Sequence, residues 1–411
     1  MGSANPVNRN TLKLSTLFSP VFLGLMLFYP NLILHYSYET KYFIKYPIMI
    51  AIILLSALYG FKKLHKIDKR IIIFIFLFSL NYSLINGQLI HQYFVQGVTL
   101  ILLVSLFIRF PSLMWPFLRV GIIVSVILSV QTIVVFICWA VGYRIPVEFL
   151  VFQGEENLRG LNIYLGNNGY FLNSGYGFRA NSYFTEAGRF AYFLTPSFFI
   201  TFSLRKQRIY RYIFILIAIA LVLTFSFMAL IAISVSMLIL CFRSYNNMRG
   251  LLFFCLLFGS TVLIYSMFND VGIMSSKSGS FAARVLGLMN ALEVFQQYPF
   301  GRPIDAINPT PSVGSYISIL WWLIHSGLQG VLLLVGLLAI YLRKTLLVFV
   351  NGNKIHRAIA CGYLAFFLEQ SLFGNYFQFY FIALTAVVIS LSYSIKNKGD
   401  HDLSWFFSAV K

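Results

Sequence analysis

Long apolar stretches, broken by short clusters of charged and turn residues, dominate this chain and leave little of the one-sided periodicity of a soluble helix or strand. They lie at 14–34, 43–61, 71–87, 92–109, 117–143, 190–204, 212–226, 228–242, 250–267, 316–342, 358–374 and 376–394. A helix needs about 20 apolar residues to cross a bilayer core. Inside that core every backbone polar group must find its partner within the protein. The pattern therefore predicts an all-α, polytopic membrane helix bundle of about twelve spans, a single integral membrane domain over residues 1–411. The first run, which starts after Lys13, lacks a small-residue cleavage site and reads as a retained span.

The stretch 212–242 is the hard case: 31 residues without a charge, flanked by Arg205, Lys206, Arg208 and Arg211 on one side and by Arg243 and Arg249 on the other. One tilted span would separate the two basic clusters across the membrane. Two short helices turning at Thr224-Phe225-Ser226 keep both on the same side, so a hairpin is expected.

Composition agrees with this reading. Hydrophobic residues make up 59% of the 411 and charged residues 10%, against roughly 45–50% and ~25% in an average soluble domain. No water-soluble fold hides that much apolar surface, which excludes soluble enzymes, disordered chains and nucleic-acid binders. The net charge of +19 then concerns topology and anionic lipid. With both termini assigned to the cytoplasm, 22 of the 31 Lys and Arg residues fall inside, and eight of the 12 acidic residues fall outside. The four cysteines all sit in apolar runs, with no metal-site or disulfide spacing.

Two connections on the outer side are far longer than the rest, 144–189 and 268–315. Loops of that length without obvious secondary structure are usually functional or disordered, and these two are not low-complexity tails. No internal repeat and no Gly-rich loop ending in Lys-Ser or Lys-Thr is present, so ATP-driven transport is not expected. In the first loop Gly160, Gly166, Gly169, Gly175 and Gly177 alternate with Tyr164, Tyr170 and Tyr176. Close backbone approach beside flat, hydroxyl-bearing faces suits carbohydrate; tyrosines at headgroup level suit an interfacial loop equally well. The following segment, RANSYFTEAGRFAYFL, places Arg179, Tyr183, Glu186 and Arg189 on one face if it continues as helix into the next span. Two guanidiniums and a carboxylate at the mouth of a bundle mark either a polar site or a Glu186–Arg189 pair decorating a helix end.

In the second loop, SGSFAARVLGLMNALEVFQQYPFGRP reads as an amphipathic helix capped by Ser280. Its apolar stripe is Phe281, Val285, Leu288, Met289, Leu292 and Phe295, and it stops before Pro299. Such a helix is expected to lie flat on the membrane. Arg284 stands in its first turn, the wrong end for a cation in the helix dipole; an anionic partner explains that placement, and so does a snorkelling arginine. Glu369, inside a span beside Gln370, either lines a site or bridges helices by hydrogen bonds, and the bridging role is the one expected.

The residues Arg179, Ser182, Phe184 and Glu186 resemble the Arg-x-x-Ser-x-Phe-x-Glu-Pro pattern of Wzy-type polymerases of O-antigen and exopolysaccharide, within the O-antigen ligase/polymerase superfamily; Ala187 stands in place of the proline. The second loop is similar too: an Arg, an amphipathic helix, Pro299-Phe300-Gly301, then a span opening Gly327 to Gly330. Superfamily ligases carry a His-Asn pair where Val313-Gly314 stand here, and His325 lies inside the span. That difference, together with Glu186, favours polymerase over ligase.

The resemblance implies a glycosyl transferase that joins undecaprenyl-diphosphate-linked repeat units at the outer face of a bacterial cytoplasmic (inner) membrane. Its expected partners are the lipid-linked glycan donor and acceptor, the bilayer and a chain-length regulator, and no nucleic acid. The diphosphate leaving group needs its developing charge neutralised. Neither long loop carries an Asp-x-Asp pair, whereas arginine forks phosphate and stays charged. Metal-independent transfer without a cofactor is therefore expected. Catalysis is assigned to Glu186, Arg179 and Arg284, with Glu186 either the base on the acceptor hydroxyl or the holder of the arginines. Substrate binding is assigned to Arg189, Tyr183, Tyr176 and Arg302. The competing functions are an O-antigen ligase acting on lipid A core and a glycolipid flippase or other secondary transporter.

Overall fold

The structure is a computed structural model that describes residues 38–87, 92–141, 148–150, 159–162, 166–167, 187–224, 226–242, 292–302, 318–373 and 379–398, with Phe18, Ser19, Phe22, Ser182 and Met289 as isolated positions. Among them run ten long α-helices: α1 (Tyr38–Gly60), α2 (Lys69–Asn86), α3 (Gln92–Arg109), α4 (Met114–Ala140), α5 (Ala187–Leu204), α6 (Arg208–Leu223), α7 (Phe227–Phe242), α8 (Ser318–Asn351), α9 (Lys354–Phe373) and α10 (Phe379–Lys398). Three stretches, Lys69–Asn86, Pro111–Cys138 and Trp322–Asn351, are long and apolar enough to cross a membrane. The chain is a helical membrane protein by that criterion. The expected runs at 14–34 and 250–267 lie outside the described residues, apart from the buried Phe18 and Phe22 and the half-buried Ser19 of the first.

Local chemistry sets the helix ends. The Asp68 carboxylate accepts the Arg70 amide at the start of α2, and Gly87, at φ 66°, closes it in the left-handed conformation. The 212–242 stretch does split: α6 stops at Leu223, Thr224 and Ser226 are buried, and α7 starts at Phe227. The break returns to the level of the first turn of α5, where a Cβ placed on Gly188 would lie 3.8 Å from Ser226 Oγ.

The helices alternate between two ends of the bundle. One end is basic: Asp68 pairs with Arg70 at 2.8 Å and Lys344 at 3.6 Å. The hydrogen bond from Arg70, aided by the charges of Lys344 and Arg70, pulls the Asp68 carboxyl down to about 2. Partial desolvation, then the charges of Arg205 and Lys206, lower the pKa of the Lys354 ammonium at the same end. The opposite end holds Asn86, Ala187 and Phe373.

Between the ends, α8 packs on α2, α9 and α10, and α9 packs on α5 and α7. The α5–α9 contact is close because Gly362 faces Pro196, and a Cβ there would sit 3.1 Å from the Pro196 Cα. Aromatic edges fill the core around Trp322, whose ring lies 4.6 Å from Tyr93 and 5.1 Å from Phe78.

Two expectations for the outer loops change. The first loop is not devoid of regular structure: β1 (Glu148–Leu150), β2 (Arg159–Asn162) and β3 (Gly166–Asn167) form an antiparallel sheet in that order. Nor does one helix run from Arg179 into α5. Ser182 sits at φ 48° in a bridge, between Arg179 and α5 (Ala187–Leu204). A helical face that reaches back to Arg179 is therefore interrupted at Ser182; Arg179, Tyr183 and Glu186 themselves lie outside the described residues.

Candidate functional site

Two structures at the Asn86–Ala187 end carry pieces of the sequence motifs. The first is a break in α8. Gly327 adopts φ 66°, ψ −176°, a region open essentially to glycine alone. The break releases backbone groups that a helix would pair, and in an apolar setting each needs a substitute. The turn after the second-loop helix supplies two of them. The Leu328 amide donates to the Pro299 carbonyl at 3.0 Å, and the Arg302 amide donates to the Ile324 carbonyl at 2.8 Å. Helix α2 supplies the others: Asn81 Nδ2 donates to the Ser326 carbonyl at 2.9 Å, and Asn86 Nδ2 reaches the His325 carbonyl at 3.5 Å. Gln329 Nε2 adds a bond to the Phe300 carbonyl at 2.8 Å.

This knot explains why Pro299-Phe300-Gly301 and Gly327 to Gly330 occur together. A Cβ on Gly327 would lie 2.3 Å from the Phe300 carbonyl carbon, and one on Gly301 (φ 100°) would lie 2.8 Å from the Gly327 nitrogen. The two backbones touch where side chains would stand. Gly330 clears the path of Asn81, whose Nδ2 would be 2.8 Å from an added Cβ.

Arg302 is thereby fixed at both sides of its backbone. Its amide holds Ile324, and His325 Nδ1 lies 3.4 Å from its carbonyl oxygen, so that nitrogen is the one that donates. The half-buried guanidinium stacks 5.1 Å from the Tyr298 ring centroid. His325 is buried and acts as a structural pin, as its place inside the apolar run suggested. The described end of the second-loop helix, Leu292 to Gln297, stops before Pro299 as expected, and Met289 and Leu292 of the apolar stripe face outward with Phe300.

The second structure is the entrance of α5. Arg189 stands half-buried in its first turn, a position where the helix dipole favours an anion and disfavours a cation. Just before it, the Ser182 hydroxyl donates to Gln131 Oε1 of α4 at 2.7 Å. Two turns further along α5, Thr195 donates to the Ala191 carbonyl at 2.9 Å and lies 3.1 Å from Glu369 Oε1 of α9. Glu369 is fully buried, and its Oε2 has no hydrogen-bond partner among the described residues. The expected bridging role is what the Thr195 contact provides.

Of the assigned residues, Arg189 and Arg302 are described, and both stand at the same end of the bundle. Arg179, Glu186, Arg284, Tyr176 and Tyr183 lie outside the described residues, as do Glu155, Glu156 and Asp305. Sequence reasoning missed Gln131, Asn81 and Asn86. A polar amide inside an apolar run was the signal available for each. A cavity among Ile75, Gln96, Leu334, Tyr341 and Thr385 holds about 10 Å³, room for one water and not for a sugar. Among the described residues no group of three or more His, Cys, Asp and Glu is placed to hold a metal ion. No protein-family model matches the chain, and neither a curated protein nor a solved structure matches it.

Proposed function

We propose that this chain is a glycosyl transferase that polymerises undecaprenyl-diphosphate-linked oligosaccharide repeat units into O-antigen or related polysaccharide. It works at the outer face of a bacterial cytoplasmic membrane, with both termini in the cytoplasm and the Asn86–Ala187 end outward. The observation that carries the reading is the knot at Gly327: two motif pieces from separate parts of the chain meet there and fix Arg302 at the same end as Arg189. A guanidinium held on a rigid backbone can fork a phosphate and neutralise the charge that develops as the diphosphate leaves. Glu186 takes the proton of the acceptor hydroxyl as the anomeric carbon passes from diphosphate to that oxygen. Arg179 and Arg284 share the diphosphate with Arg189 and Arg302, and Tyr176 and Tyr183 face the sugars.

A transporter reading draws on the same break, because interrupted helices often line the sites of carriers. In those sites the unwound carbonyls are free to coordinate cargo. Here Ile324, His325 and Ser326 all have their carbonyls engaged by Arg302, Asn86 and Asn81, so the break serves to hold a loop. The deciding experiment supplies purified protein with a lipid-linked repeat unit. Longer lipid-linked glycans support polymerisation. Transfer only to added lipid A core makes it a ligase, and no glycan product with movement of the lipid between leaflets makes it a carrier.

A further inference from the structure

Ser182 occupies a backbone conformation that few non-glycine residues adopt, at φ 48°, and it is 2% exposed. Something other than its own preference must hold it there. Its hydroxyl donates a hydrogen bond to Gln131 Oε1, across 51 positions of sequence. Gln131 lies nine residues before the end of α4, so at 1.5 Å per residue the anchor is about 13 Å below that helix end. Ser182 thus sits well inside the bundle although it precedes α5 in the chain. The choice of anchor is selective. Ser129 and Thr132, on the same helix, are buried and their hydroxyls make no hydrogen bond among the described residues, yet Ser182 pairs with Gln131.

We propose that Gln131 is a positioning residue for the 179–189 motif: by accepting the Ser182 hydroxyl at 2.7 Å it pins Ser182 in its left-handed conformation and so sets where the chain enters α5 and presents Arg189. The inference rests on the polymerase reading, in which Arg189 and its neighbours carry the diphosphate. Gln131 touches no substrate; its effect passes through Ser182. The two residues act as one unit, so removing either should cost the same as removing both.

The test compares wild type with Q131M, Q131E, S182A and the double variant Q131M/S182A, each purified and assayed for elongation of a lipid-linked repeat unit. Met matches glutamine in length without the acceptor oxygen; Glu retains it. We expect Q131M and S182A each to lower kcat about tenfold or more with KM changed less than threefold, Q131E to recover most of the loss, and the double variant to match the singles. Multiplying losses in the double variant, or Q131M within twofold of wild type, overturns the proposal.

Hydrogen exchange of the peptide covering 179–190 supplies a readout that does not depend on activity. Q131M should raise exchange there while the peptides of α9 and α10 stay protected. Unchanged exchange at 179–190 overturns the anchor by itself. A wild-type protein that builds no glycan overturns the function, and the positioning claim with it, even where the exchange result stands.

Discussion

Replacing Gly327 with alanine is the sharpest test of the knot in α8. The backbone at φ 66°, ψ −176° costs a residue with a side chain about 1–3 kcal/mol. The added methyl would also meet Phe300 carbon at 2.3 Å, Phe300 oxygen at 2.6 Å and Gly301 nitrogen at 2.7 Å. All three are backbone atoms, so no rotamer change relieves the clash and the turn must lift away. Lifting it breaks Leu328 to Pro299, Arg302 to Ile324 and Gln329 to Phe300, at roughly 0.5–1.5 kcal/mol each. The total expected loss is about 2.5–7.5 kcal/mol. Gly87 is the control, since it has the same φ of 66° but nothing within 4 Å of an added Cβ. Gly87→Ala should cost only the conformational term, about 1–2 kcal/mol. The assay is thermal unfolding of detergent-purified protein, followed by tryptophan fluorescence and by retention on size exclusion. Gly327→Ala should lower Tm at least twice as far as Gly87→Ala and abolish glycan elongation. Equal shifts for the two variants would refute the claim that the turn is locked into the helix break.

Four further outcomes are expected. Glu186→Gln should end polymerisation in a protein that still elutes as a folded monodisperse species, and near-normal glycan ladders would remove its role as base. Elongation should survive a chelator; activity lost in it and restored by magnesium or manganese would reject metal-independent transfer. Glu369→Gln keeps an acceptor for Thr195, 3.1 Å away, and should leave Tm and activity nearly unchanged, whereas Glu369→Ala opens a buried cavity worth about 2–4 kcal/mol, read as a falling Tm. The Asp68 carboxyl is held at about 2, below its ordinary 3.8, so its contribution is complete above pH 3.8 and fades as pH falls toward 2. The stability gap between wild type and Asp68→Asn, which keeps the cap but loses the charge, is on the order of 1 kcal/mol at neutral pH; read as a difference in Tm it should close over that window, and a gap independent of pH would contradict the ion-pair assignment.

Apolar runs and their punctuation carried most of the helical architecture. Hydropathy is a local property, and a bilayer-scale helix satisfies its own backbone, so the helices Lys69–Asn86 and Gln92–Arg109 follow from their own residues with little help from neighbours. The split at Thr224 to Ser226 was legible for a different reason: basic residues at both flanks of one uncharged stretch demand an even number of crossings. The stop before Pro299 was equally local, because the residue preceding proline disfavours helical geometry.

The candidate site was legible only as residue types. Helical spacing put Arg179, Tyr183, Glu186 and Arg189 on one face, and a single left-handed residue at Ser182 separates Arg179 from the other three. The Ser182 hydroxyl is bonded to Gln131, 51 positions away, which no local rule sees. The break at Gly327 is of the same kind. Glycine alone permits it, but what fixes it is the turn at Pro299 to Arg302 and Asn81 of α2, which holds the Ser326 carbonyl from 245 positions away. Sequence by itself determined which segments are helical and apolar, since that follows from solvent transfer of short stretches. Tertiary structure decided where those helices are interrupted and which polar side chains meet the interruption, because a freed backbone group in an apolar bundle takes whatever partner the packing brings within hydrogen-bond reach.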